Sequence, residues 1–123
     1  MNASWVSKLG LMLVLVCGLA LAAEQPRPPW LQPDVVKASV DIGMDEEQGA
    51  LFRASVGRFL DGRMKALNRL LQGNNVTDIE RKLKRKTKTL KKQMDQEMAE
   101  FLTDEQYPKY EVYRDALMSH MQG

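Results

Sequence analysis

Apolar residues recur at three- and four-residue steps from Asp45 to about Gln72. Leu51, Phe52, Val56, Phe59, Leu60, Met64, Leu67, Leu70 and Leu71 share one wide face at helical spacing, with Arg53, Arg58, Arg63 and Arg69 between them. A second, narrower stripe follows at Ile79, Leu83, Leu90, Met94, Met98 and Phe101, with Thr87 filling the gap. Its width is that of a coiled-coil seam, and the helix it predicts is about 38 Å long. Shorter apolar patterns flank the pair: Val35, Val36, Ala38 and Val40 before it, and Tyr107, Tyr110, Tyr113, Ala116, Leu117 and Met121 after it. No stretch alternates with period two. The expected fold is therefore all-α, with about four helices. A short connection between the two long ones implies a long central antiparallel hairpin.

Helix starts are marked three times. Leu102-Thr103-Asp104-Glu105-Gln106 is a capping box: Thr103 accepts from the N–H three residues on, and Gln106 reaches back to the cap's own N–H. Met44-Asp45-Glu46-Glu47-Gln48, 58 residues upstream, is a looser copy, with Asp45 and Gln48 in the same roles. Leu102 and Met44 are placed as hydrophobic staples. Thr77 and Glu80 form a third box, and Asp34 is placed to cap the first short helix. Gly43 and Gly73-Asn74-Asn75 are stop signals that tolerate left-handed φ. Pro108 conflicts with a regular helix from Asp104, so the first turn is distorted or the helix starts near Pro108.

The amino-terminal region reads differently. Lys8 precedes an uncharged apolar run from Leu9 to Ala23, closed by the small-residue pattern Ala20-Leu21-Ala22. At about 15 residues the run is short of the roughly 20 that span a bilayer. Residues 1–23 are read as a signal peptide cleaved near Ala22 or Ala23, and the protein as exported to the periplasm. Cys17 leaves with that segment. Residues 24–33 contain Pro26, Pro28, Pro29 and Pro33 and read as an extended, mobile arm carrying Trp30. Residues 34–123 form the helical domain.

Charge adds a feature that the net value hides. From Glu24 onward 17 Lys/Arg face 16 Asp/Glu, so the exported chain is nearly neutral. Arg81, Lys82, Lys84, Arg85, Lys86, Lys88, Lys91 and Lys92 nevertheless form a run with no acid in it, and Asp95 to Glu111 holds six acids and one base, Lys109. Three arrangements account for this. The first is a solvated face with ordinary i,i+4 pairs. The second is an antiparallel homodimer, in which the basic half of one helix faces the acidic half of its mate. The third is a surface for acidic partners, unfolded polypeptide or anionic lipid. Nucleic acid is not expected as a partner of an exported, near-neutral chain, and peripheral membrane contact is allowed by the basic helix but not favoured. A chain of about 100 residues with one hairpin and two short helices buries little apolar surface, so a homodimer is the natural cover for the narrow stripe.

No catalytic constellation is present, and the chain is read as a non-enzyme. His120, the one histidine, lies near the carboxyl terminus and reads as solvated. No cysteine remains after export. Met94, Met98, Met118 and Met121 fit adaptable packing better than a soft-metal site. No serine stands in a nucleophile elbow and no glycine-rich loop is placed to hold phosphate. The sequon Asn75-Val76-Thr77 is better explained by capping. No metal and no cofactor are expected.

The two motif copies bracketing a helical hairpin behind a signal peptide resemble the Spy/CpxP-type LTxxQ family of small periplasmic proteins. Leu102 to Gln106 matches that motif fully, and Met44 to Gln48 matches at the glutamine, with Met for Leu and Asp for Thr. The resemblance covers about residues 34–121. It implies a cradle-like antiparallel homodimer and an ATP-independent, chaperone-like or envelope-stress role, binding unfolded or misfolded polypeptide or an envelope sensor domain. Client binding would fall to Arg81, Lys82, Lys84, Arg85, Lys86, Lys88, Lys91 and Lys92, with Met94 and Met98. The alternative is a regulatory or metal-responsive periplasmic sensor without general chaperone action. The chain departs from the family in its first motif and in Pro108, and it lacks the histidine-rich segments of metal-binding relatives.

Overall fold

The computed structural model describes residues 27–73 and 76–121. The segment read as a signal peptide, with Cys17, the first residues of the proline-rich segment, and Asn74 and Asn75 lie outside the described residues. Within them the chain is all-α. The helices are α1 (Pro33–Asp41), α2 (Glu46–Gln72), α3 (Ile79–Phe101) and α4 (Tyr107–Met121), with 3-10 turns at Pro29–Leu31 and Val76–Asp78. Helices α2 and α3 pack along one another, and α1 packs on α4. Ser55 meets Glu97 and Gly62 lies against Leu90, so numbers rise along one helix as they fall along the other. This is the antiparallel hairpin that the apolar spacing predicts.

The core sits at one end of the hairpin. Val35, Ala38 and Ile42 from the α1 segment meet Phe52, Val56 and Phe59 of α2, Met94, Met98 and Leu102 of the α3 segment, and Tyr110, Tyr113 and Leu117 of α4. Each large apolar side chain taken from water here stabilises by about 1.5–3 kcal/mol. Phe52 and Tyr113 stack edge to face with centroids 4.9 Å apart, a geometry aromatic rings favour. Tyr110 is fully buried and donates to Asp95 at 2.7 Å, and Arg114 closes on the same carboxylate at 3.3 Å. Burial pushes the Tyr110 hydroxyl far above its usual range, and the Asp95 contact adds to the effect. Burial also raises Tyr113, to about 12.

Several local expectations change. The proline-rich segment is not extended throughout: Pro29–Leu31 forms a 3-10 turn packed on α1 and α4. Asp34 does not cap α1. Gln32 holds the N-cap and Pro33 opens the helix, where its missing N–H costs nothing. Asp34 is one residue further in and bonds His120 Nε2 at 2.9 Å. His120 is exposed, as expected, and this contact ties the last turn of α4 to the first turn of α1. Its contact lowers the Asp34 pKa, chiefly through the hydrogen bond. Thr77 does not cap α3, because a 3-10 turn takes Val76–Asp78 and Asp78 becomes the N-cap. Gly73 has φ −79°, so α2 ends in extended rather than left-handed backbone. Gly43, at φ +71°, does take the left-handed conformation that ends α1. Regular α4 starts at Tyr107, one residue before Pro108, which removes the clash expected of a start at Asp104.

Candidate functional site

Two features stand out above the core: a clasp between the two motif copies, and a basic arm beyond it. Both capping boxes form. Asp45 Oδ1 accepts from Gln48 N–H at 2.7 Å and Gln48 Oε1 accepts from Asp45 N–H at 3.1 Å. Thr103 and Gln106 repeat the exchange at 3.2 and 3.0 Å. The two glutamines then meet. Gln48 Nε2 donates to Gln106 Oε1 at 2.8 Å, and Gln106 Nε2 donates to Gln48 Oε1 at 3.2 Å. The remaining amide hydrogens go to backbone just before the opposite box, from Gln48 to the carbonyl of Phe101 at the end of α3 and from Gln106 to the Gly43 carbonyl, both at 3.0 Å. Each amide thus uses two donors and two acceptor positions, its full capacity. The cap N–H groups also fix which end is oxygen, since a flipped amide would face donor to donor. The clasp pins the start of α2 to the start of α4.

Beyond the core the hairpin continues alone. No residue from Leu60 to Gln93 is buried among those described. Helix α4 reaches only as far as Arg63, whose Nη2 donates to the Met121 carbonyl at 3.4 Å. Further out, Met64 and Leu71 are 55% and 61% exposed, and Leu67, Leu70, Ile79, Leu83 and Leu90 are half-buried. This is an apolar seam that α2 and α3 cover for each other, with no other described helix reaching it. The helices approach closely at Gly62, where a Cβ would lie 2.9 Å from Leu90.

The basic run lies on this arm. All eight residues are exposed except Lys91, which is half-buried. Arg81 pairs with Asp78 at 3.1 Å, and the other seven make no ion pair among the described residues. The ordinary i,i+4 pairing allowed for by the sequence is therefore absent along this run. Its acidic counterpart is partly consumed inside the chain. Asp95 is held by Tyr110 and Arg114, and Glu97 accepts from Ser55 at 2.7 Å and pairs with Arg58 at 2.8 Å. The Arg58 hydrogen bond is the main reason that the Glu97 pKa is lowered.

Met94 and Met98 are 1% and 0% exposed, so they belong to the core and offer no surface to a client. The exposed large apolar side chains of the arm are Met64 and Leu71, which helical spacing from Gly62 places on the side of α2 turned away from α3 and its cations. Asp45, Gln48, Thr103 and Gln106 cap as read, Met44 and Leu102 pack in the core region, and Thr77 and Glu80 do not form the third box. The glutamine clasp and the Ser55–Glu97–Arg58 bridge escaped sequence reading. A lone Ser55 on the apolar face of α2 was the one available signal for the bridge. Among the described residues no group of three or more His, Cys, Asp or Glu could hold a metal ion, and no helix is long and apolar enough to cross a membrane. Comparison with protein-family models, with curated proteins and with solved structures returns no match.

Proposed function

We propose that this is an exported helical protein that holds exposed segments of unfolded or misfolded polypeptide without nucleotide, acting as an antiparallel homodimer in the periplasm. The observation that supports it is the arm itself, which exposes Met64 and Leu71 on α2 and, on α3, seven cations with no ion pair among the described residues. Cations concentrate acidic client segments by long-range attraction, and Met64 and Leu71 add short apolar contact. Such contact is weak, which suits a holder that must release its client. Two copies laid antiparallel would extend the seam and set each basic arm near acids of the mate. Glu100, Asp104 and Glu105 are exposed for that purpose, whereas Asp95 and Glu97 are already engaged.

The test is aggregation of a chemically denatured model client, followed by light scattering over a range of added protein without nucleotide. Suppression is expected, and it should weaken in Met64→Ser/Leu71→Ser, two exposed positions whose change leaves the core intact. Unchanged client aggregation at every ratio up to excess would remove the proposal.

A further inference from the structure

Charge in this molecule is divided by region. Between Leu60 and Gln93 there are eleven Lys/Arg and three Asp/Glu, a net of +8, whereas the remaining described residues hold six Lys/Arg and twelve Asp/Glu, a net of −6. The positive part is the arm and the negative part is the core-bearing body. The chain is therefore a strong dipole along the hairpin axis.

On α3 the cations have a direction. Arg81, Arg85, Lys88 and Lys92 are spaced i, i+4, i+7 and i+11, which is one helix face about 16 Å long. All four are exposed. The stripe that packs toward α2, Leu83, Leu90 and Met94, lies on the opposite face by the same spacing. The row is thus a convex outer ridge, free whether or not the apolar seam is covered by a second copy or a client.

We infer that this ridge docks the protein on an anionic bilayer surface, arm first, with the acidic body held away. The sequence alone does not favour such contact. The structure does: Arg85, Lys88 and Lys92 make no ion pair among the described residues, Arg81 alone meets Asp78, and the body carries the opposite charge. A straight convex row matches a flat array of phosphates. Neither the cavity between Ser55 and Glu97 nor the one between Ser39 and Arg53 is lined by a ridge residue. No Trp, Tyr or Phe lies between Leu60 and Gln93 to stack bases, the usual device for single-stranded nucleic acid. The body, repelled by the same surface, fixes the orientation. The inference goes beyond the client-holding role and does not depend on it.

Vesicle co-sedimentation tests it with the chain beginning at Glu24. The probes are vesicles of phosphatidylcholine alone and of phosphatidylcholine mixed with phosphatidylglycerol. Binding to the mixed vesicles at low salt, release at high salt and no binding to the neutral ones are expected. Each basic residue near an anionic surface contributes about fivefold to partitioning, so Arg85→Glu/Lys88→Glu/Lys92→Glu should lose about a hundredfold or more. The body control Lys37→Glu/Lys109→Glu removes two cations elsewhere and should lose far less. Helical content by circular dichroism verifies that both variants fold. Equal partition to both vesicle types, wild-type partition by the ridge variant, or equal losses per charge in ridge and body variants would each overturn the inference. Retention by soluble polyglutamate or single-stranded DNA without sedimentation on anionic vesicles would overturn it in favour of a soluble polyanion.

Discussion

At the scale of single residues, Gln48 and Gln106 carry more structure than any other pair. Each is legible in the sequence as the reaching-back member of a capping box. Their mutual contact is not, because five residues can announce a helix start without saying which other start lies beside it. The four bonds of each amide make a sharp test. Gln106→Ala removes donors to the Gly43 carbonyl and to Gln48, and should destabilise by about 1–3 kcal/mol. Gln106→Glu keeps the acceptor for the Thr103 N–H but turns an acceptor-only group toward the Gly43 carbonyl and Gln48 Oε1. It should cost more than alanine at neutral pH, despite being closer in shape. Denaturant titration of both variants decides this. If glutamate were no worse than alanine, the reciprocal amide contact would not hold in solution. Met94 and Met98 teach the converse lesson. Their i,i+4 spacing was read correctly as one face, but a face alone does not say whether another helix lies on it.

At the scale of helices, the wide apolar face of α2 and the narrow stripe of α3 were legible because both are long and strongly periodic. Their ends were less so. The Thr77–Glu80 pattern is as good a box as the other two, yet a 3-10 turn displaces it. The packing of α2 on α3 depends on glycines that composition cannot rank. Gly57 and Gly62 both sit inside α2, where glycine costs about 1 kcal/mol against alanine. A Cβ on Gly57 meets nothing within 4 Å, whereas one on Gly62 would press on the Leu90 side chain at 2.9 Å. Gly57→Ala should therefore raise stability by about 0.5–1 kcal/mol. Gly62→Ala should gain less or lose, and Gly62→Val should lose clearly. Thermal melts of the three variants separate intrinsic helix preference from close approach. An equal gain at both glycines would show that the hairpin has slack at Gly62.

At the scale of the whole molecule, the linear basic and acidic blocks were visible in the sequence, but their spatial meaning was not. How far α1 and α4 reach along the hairpin depends on tertiary packing, and that reach decides where body ends and arm begins. The structure sets the limit near Arg63, with buried α2 residues ending at Phe59 and buried α3 residues beginning at Met94. Stability should follow the same boundary. Amides of Phe52 to Phe59 and of Met94 to Phe101 sit beside the common core, and should exchange hydrogen only when the molecule unfolds as a whole. Amides of Leu67 to Leu71 and Leu83 to Thr87 are held by two helices alone, with like charges crowding one of them, and open by fraying from the tip. They should exchange at least about tenfold faster. Raising salt screens the repulsion among the α3 cations over about 10 Å or less, and should slow exchange in the arm more than in the core. Adding denatured client should slow it again, and only there. Mass-resolved exchange along the hairpin gives the outcome directly: a uniform profile from Phe52 to Phe101 would mean that the arm and the body are one cooperative unit, and the division on which the proposed binding surfaces rest would fall with it.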